Sequence, residues 1–131
     1  MRLILAITLL LIVVNLVATD TTKTVASKPK IIYGTASFYA NSFHGKKTAN
    51  GETFSQKKMT AACNVLPLGT WIRVTNLRNG RSVLVRTNDR LHARMKRVVD
   101  LSRSAAEKLN YVKSGLTQVK VEVLGKKKPE E

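Results

Sequence analysis

A chain of 131 residues with a single cysteine, Cys63, can form neither an intramolecular disulfide framework nor a zinc site built from several thiols. Its stability has to come from packing. Proline is scarce at three residues, and with 44% hydrophobic and 24% charged residues the chain is neither collagen-like, nor of low complexity, nor disordered throughout. The two histidines and one cysteine show no His-x-x-x-His or Cys-x-x-Cys spacing, so no metal and no cofactor are expected. Acid is what the chain lacks most. Eight Asp and Glu stand against 23 Lys and Arg, a net charge of +15, and that excess goes beyond solubility and points to a polyanionic or acidic partner. Aromatic residues are only 5% of the chain, and no nucleic-acid motif accompanies the charge, so nucleic acid is not the expected partner.

At the start of the chain, Met1-Arg2 sets one positive charge before an apolar run, 3–14, that contains only Thr8 as a polar residue and fades through 15–18. This is the form of an export signal, because 12 to 16 apolar residues fall short of a bilayer span, which needs about 20. Cleavage is expected after Ala18 or as late as Ala26, with an uncleaved anchor as the alternative. After cleavage no stable membrane span is expected, and the destination is the periplasm or cell envelope. An exported basic protein meets wall polymers and headgroups before it meets DNA.

Residues 19–32 read as a linker of Thr, Lys, Ser and Pro, 33–124 as one domain and 125–131 as a charged tail. Within the domain, short runs at 33–39, 59–62, 70–75, 82–87, 97–100 and 117–123 carry β-branched, aromatic or alternating residues. Six short strands predict a mainly β fold, a small closed barrel. Asn79-Gly80 predicts a hairpin between the third and fourth runs, with both residues tolerating positive φ. One helix of two or three turns is predicted around 105–109, capped by Ser102 or by Ser104, which has capping-box spacing to Glu107.

Only five carboxylates fall in the domain: Glu52, Asp89, Asp100, Glu107 and Glu122. Glu107 and Glu122 have ordinary surface explanations. Asp100, between a strand and the helix, reads as a structural acceptor of backbone N–H groups near the helix start. Glu52 sits in a loop with Asn50, Gly51 and a nearby His44, and Asp89 closes the fourth strand. Two acids on separate loops of a barrel suit general acid/base work on a glycosidic bond, although spacing alone does not establish it and turn capping and ion pairing are the ordinary alternative.

Several ordered words carry a likeness: Gly34-Thr35-Ala36-Ser37-Phe38-Tyr39, Phe43-His44-Gly45-Lys46-Lys47-Thr48-Ala49-Asn50-Gly51-Glu52, Thr60-Ala61-Ala62, Leu66-Pro67-Leu68-Gly69-Thr70, Val74-Thr75-Asn76-Leu77-Arg78-Asn79-Gly80, Asn88-Asp89-Arg90 and Asp100-Leu101-Ser102. Together they resemble the rare lipoprotein A family of septal ring lytic transglycosylases, over about 33–124. The resemblance implies a six-stranded double-psi β-barrel with one or two short helices, the fold also of expansins, and an open groove for polysaccharide. It implies an endolytic peptidoglycan lytic transglycosylase, a lyase that cleaves the MurNAc–GlcNAc β-1,4 linkage of peptide-poor glycan strands and leaves a 1,6-anhydro end. The family's functional Glu falls on Glu52 and its functional Asp on Asp89. One carboxyl would protonate the glycosidic oxygen and then take the proton of the muramoyl C6 hydroxyl. Either acid can fill that role on sequence grounds. His44, Asn50, Asn88 and Arg90 lie in family words and are candidate substrate-binding residues, as is Cys63, which holds the position of the family's His. The implied partner is the peptidoglycan strand, bound by a monomer, with cell-division proteins as possible further partners.

Three departures stand out. Cys63 follows Thr60-Ala61-Ala62 where the family commonly has His, and a thiol is a poorer hydrogen-bonding group. Leu91-His92 follows Asn88-Asp89-Arg90 where the family often has Gly-Pro. Arg86, Arg90, Arg94, Lys96 and Arg97 crowd Asp89, which suits a charge stabiliser better than a general acid if they point toward it. The alternative to an enzyme is a non-catalytic, expansin-like peptidoglycan-binding barrel.

Overall fold

The computed structural model describes Val14, Asn15 and residues 28–130. The expected export signal and most of the linker lie outside the described residues. No helix among the described residues is long and apolar enough to cross a membrane.

Alternation of apolar and polar residues builds the strands. In β3 (Trp71–Asn76), Ile72, Val74 and Asn76 turn inward, and in β4 (Ser82–Asp89) Val83, Val85 and Thr87 do the same. β6 (Thr117–Gly125) adds Val119 and Val121, and β1 (Ile31–Phe38) adds Ala36. Two short strands, β2 (Thr60–Ala62) and β5 (Val99–Leu101), complete a closed barrel in the order β1-β5-β2-β4-β3-β6. β1 pairs with β5, and β2 with β4, in parallel, while the other four pairings are antiparallel. This is the six-stranded, mainly β barrel expected from the sequence. A barrel of so few strands has room inside only for side chains, and these form one apolar cluster reaching from Ala36 to Val121.

The helix, α1 (Arg103–Lys108), is shorter than expected, at six residues. Ser102 rather than Ser104 caps it, its Oγ accepting from the Ala105 N–H at 3.3 Å. Its far end is closed from outside. Asn76 and Asn79 donate through their side-chain amides to the Leu109 carbonyl at 2.8 and 2.9 Å, satisfying an acceptor the helix leaves over. Asn76 also accepts from the Thr117 hydroxyl at 2.8 Å, so a buried polar knot ties helix, hairpin and β6 together. The hairpin after Asn76 has only Gly80 at positive φ, 74°. The Asn79 side chain is spent on Leu109 and on the Arg81 N–H instead.

β5 runs one residue past the expected end at Asp100, because Leu101 turns inward beside Val99 before Ser102 starts the helix. β4 runs two residues past the expected 87, and its last residues carry an irregularity. The parallel register with β2 pairs Ala61 with Thr87 but Ala62 with Asp89, leaving Asn88 as an extra residue. Such a bulge moves every later side chain to the other face. Without it Asp89 would follow Val85 and Thr87 into the core.

Candidate functional site

The bulge puts Asp89 on the outer side of β4, the side of Ala62. On the other edge of β2, Ala62 stands opposite Asp100. Asp89, Ala62 and Asp100 floor a cleft of about 570 Å³, walled by Phe38, Tyr39, Phe43, Leu91, Met95 and Arg97.

Asp89 is held from three directions. The Tyr39 hydroxyl donates to its Oδ2 at 2.5 Å, and the backbone N–H groups of Ala49 and Arg90 donate to its Oδ1 at 2.9 Å each. Tyr39 is placed by its ring, which packs on Phe54 with centroids 4.0 Å apart and meets Phe43 edge-on at 5.7 Å. Burial pushes the Tyr39 hydroxyl well above the ordinary tyrosine range, and the bond to Asp89 and the charges of Asp89 and Asp100 push it the same way. Across neutral pH it remains a proton donor.

The loop that supplies the Ala49 N–H is 48–52. It turns at Gly51, where φ is 88°, a region open to glycine at no steric cost. Thr48 and Gly51 close it through backbone bonds, and the Asn50 N–H reaches the Asn88 carbonyl at 3.2 Å, docking the loop on the end of β4. Glu52 leaves this loop toward Arg86, whose guanidinium donates to both carboxylate oxygens at 2.6 and 2.8 Å. Asn50 donates to it as well. The Arg86 bonds first, and the Asn50 bond second, hold the Glu52 carboxyl below the usual carboxylate range. Glu52 is therefore ionised at neutral pH. It stands over Arg86, three residues before Asp89 on the same strand, and the cleft is not lined by it.

The other sequence-selected residues divide. Arg90 is engaged structurally, donating to the Cys63 and Leu66 carbonyls. Asn88 is buried, with its side-chain oxygen unpartnered and its carbonyl accepting from Asn50. His44 lies on the exposed turn after 41–43, its Nδ1 accepting from the Gln56 N–H at 3.2 Å. Cys63 is fully buried among the core side chains, away from the cleft, and its N–H donates to the Asp89 carbonyl. Of the bases crowding Asp89 in sequence, Arg86, Arg90 and Arg97 each bind another partner, and Arg94 and Lys96 are exposed.

Asp100 differs from expectation. Ser102 takes the helix N–H, and Asp100 instead binds Arg97, which donates through Nε and Nη2 at 2.9 and 3.1 Å. That pairing raises Arg97 above its already high value. Tyr39 is a site residue that the sequence marked only as the end of the first strand-forming run and of the first family word. No group of three or more His, Cys, Asp or Glu among the described residues is arranged to hold a metal ion.

Residues 31–121 match a family model described as lytic transglycolase. The chain is 56% identical over 89 residues to the endolytic peptidoglycan transglycosylase RlpA of Pseudomonas aeruginosa strain UCBPP-PA14, covering 68% of this chain and 26% of that protein. It is 49% identical over 92 residues to the protein of the same name from Campylobacter jejuni, covering 70% of this chain and 34% of that protein. The chain thus spans about a quarter to a third of the length of these relatives. Among solved structures, the Streptomyces papain inhibitor superposes with a TM-score of 0.61 at 19% identity, covering 75% of this chain and 97% of that one. An apo expansin of Clavibacter michiganensis gives 0.61 at 18% identity, covering 78% and 53%. At that identity the two structures speak for the barrel alone.

Proposed function

Because the chain belongs to the lytic transglycolase family, we propose that it is an exported enzyme that cleaves the MurNAc–GlcNAc linkage of peptidoglycan without water. The observation that carries the reading is Asp89: a carboxyl set on the floor of an open cleft, with its orientation pinned by Tyr39 and two backbone N–H groups. Pinning of this kind fixes the place at which a catalytic group gives and takes a proton.

The protonated Asp89 carboxyl gives its proton to the glycosidic oxygen as the bond from that oxygen to the muramoyl C1 breaks. The electron pair of that bond leaves with the GlcNAc, and positive charge spreads over C1 and the ring oxygen. The C6 hydroxyl oxygen of the same sugar closes on C1, and its proton passes to the Asp89 carboxylate. One residue serves as acid and then as base, so no activated water is needed and the product ends in a 1,6-anhydro ring. The Tyr39 hydroxyl keeps its own proton throughout and, by donating to Oδ2, steadies the carboxylate form of Asp89 that takes the C6 proton.

Glu52 does not act as the acid in this scheme, because Arg86 and Asn50 keep it ionised. Its work is to hold the 48–52 loop so that the Ala49 N–H meets Asp89. Cys63, buried in the core, leaves the cleft chemistry to these groups.

The test uses the full chain with peptide-free and peptide-bearing glycan strands, analysed by mass spectrometry for 1,6-anhydro-muramoyl ends. Anhydro ends from peptide-free strands, lost in Asp89→Asn, are the expected result. Intact strands that co-sediment with the protein would make it a wall-binding barrel instead.

A further inference from the structure

The segment that follows Asp89 is fastened at its start. Leu91 is buried with Tyr39, Phe54 and Ala62 in a second apolar cluster. The Asn64 side chain accepts from the Leu91 N–H at 2.8 Å and donates to the His92 carbonyl at 3.4 Å. The Met95 N–H donates to that same carbonyl at 2.9 Å, closing a turn over 92–95. The His92 ring therefore rides on a fixed backbone, and it lines the cleft. Its Nδ1 accepts from the Arg94 N–H at 3.3 Å. A ring nitrogen that accepts carries no proton, so the hydrogen of the neutral imidazole is on Nε2. The other cleft donors are engaged within the protein: Tyr39 with Asp89, Arg90 with the Cys63 and Leu66 carbonyls, and Arg97 with Asp100. Nε2 of His92 has no partner among the described residues.

We infer that His92 is a substrate-binding residue, whose Nε2–H donates to the free lactyl carboxylate of a peptide-free muramoyl residue. The inference rests on the glycan-cleaving reading above. Three residues of extended chain span at most about 11 Å, which keeps His92 near the sugar whose C1 meets Asp89. That sugar is the muramoyl residue, and its lactyl group hangs from O3 of the same ring. The next lactyl group along the strand lies beyond an intervening GlcNAc.

Charge decides which group is read. Arg94 and Lys96 are exposed on the same loop, Lys46 stands over the Phe43 ring at 5.5 Å from its centroid, and 90–97 contains no acid. None of these three bases forms an ion pair among the described residues. The hydroxyls and acetamides of a glycan strand are neutral and gain little from such a field, whereas a carboxylate is drawn in by it and makes the stronger bond. Of the acids on the cleft floor, Asp100 is offset by Arg97, and Asp89 enters the reaction protonated. A peptide on the lactyl group turns the carboxylate into an amide, which removes the charge and adds bulk at the same place. No proton moves through His92. Its bond is present before and during cleavage, so it acts on binding rather than on turnover.

The test compares peptide-free strands with the same strands after their lactyl carboxyls are converted to methylamides. It measures kcat, KM and co-sedimentation for the full chain, His92→Ala and His92→Gln, with thermal unfolding of each. For wild type the methylamide is expected to raise KM about 20-fold and to leave kcat within about 2-fold. His92→Ala is expected to raise KM on the free-carboxylate strands about 10-fold, so that its preference between the two substrates falls to about 2-fold. His92→Gln, whose amide keeps an N–H near the place of Nε2, is expected to recover part of the loss. Equal KM values of the two substrates for wild type overturn the inference. A preference that stays at the wild-type value in His92→Ala, or a loss that the folded fraction accounts for, overturns it too. A wild type that makes no anhydro ends sinks the cleavage reading alone, because the same preferences are then read from co-sedimentation.

Discussion

On the β1–β6–β3 side of the barrel the strands are long, and the slip in their pairing, between Trp71 and Ile72, lies at the end of the β3–β6 ladder. β6 holds six register pairs with each neighbour, and the residues turned inward are Ala, Ile and Val, with Asn76 tying the end. On the β5–β2–β4 side two strands are three residues long, the β2–β4 ladder slips at Asn88, and the outward residues are Asp89, Asp100 and Arg86. The long ladder supplies rigidity. The short strands end where loops can reach over them and donate N–H groups to a carboxylate. A site of this kind depends on precision borrowed from the opposite wall, because its own strands are too short to hold their places alone.

The two sides should therefore fail differently. Asp89→Asn is expected to lower anhydro-end formation by about 10³-fold while the denaturation midpoint stays within experimental error of wild type. An activity loss matched by a stability loss would break the distinction. Tyr39→Phe keeps the ring against Phe54 and removes only the hydroxyl bond to Asp89. It is expected to cost about 30-fold in kcat, in the range of one lost preorganised donor or somewhat less. On the opposite side, Asn76→Ala removes one of the two amides on the Leu109 carbonyl and takes away the acceptor of the Thr117 hydroxyl and the Arg78 N–H. Urea denaturation should show about 3 kcal/mol of lost stability, with kcat on the folded fraction unchanged. Ser102→Ala, which removes the helix cap, should cost about 1 kcal/mol by the same measurement.

The smallest expected effect is the most diagnostic of the cleft side. The Glu52 carboxyl is held below its ordinary value in the folded chain, so its contribution to stability is present above the unfolded pKa and is lost as pH falls through the lowered one. Glu52→Gln should thus be less stable than wild type near pH 7, by less than about 1 kcal/mol for a partly exposed pair. The difference should close in acid. A gap that persists below the carboxylate range would mean that Glu52 acts through packing rather than through Arg86.

Much of the barrel was legible in the sequence for a simple reason. Strands buried on one face alternate, which marks β3, β4 and β6, while β1, which does not alternate, is marked by its aromatic and β-branched residues. The site was less legible. Asp89 and Glu52 stood out as acids in a basic chain, but nothing local distinguished the Arg86 partner of Glu52 from the other bases nearby. Asp100 was read as a helix-cap acceptor because it precedes α1, and only the register of β2 with both neighbours puts it beside Asp89. Cys63 is a cleft candidate by its place in the motif and a small buried residue by its chemistry, and the second reading holds. Its burial follows from the step after Ala62, where the chain turns the next side chain back toward the core.

The bulge at Asn88 has a consequence for how this protein can change over generations. A substitution near Asp89 alters one side chain, but deleting a single residue between Thr87 and Asp89 would swing the acid through the sheet and into a compartment filled with valine and isoleucine. Length, more than identity, is what descent must preserve along this stretch. The same slip that makes the cleft possible leaves it one codon away from being turned inside out.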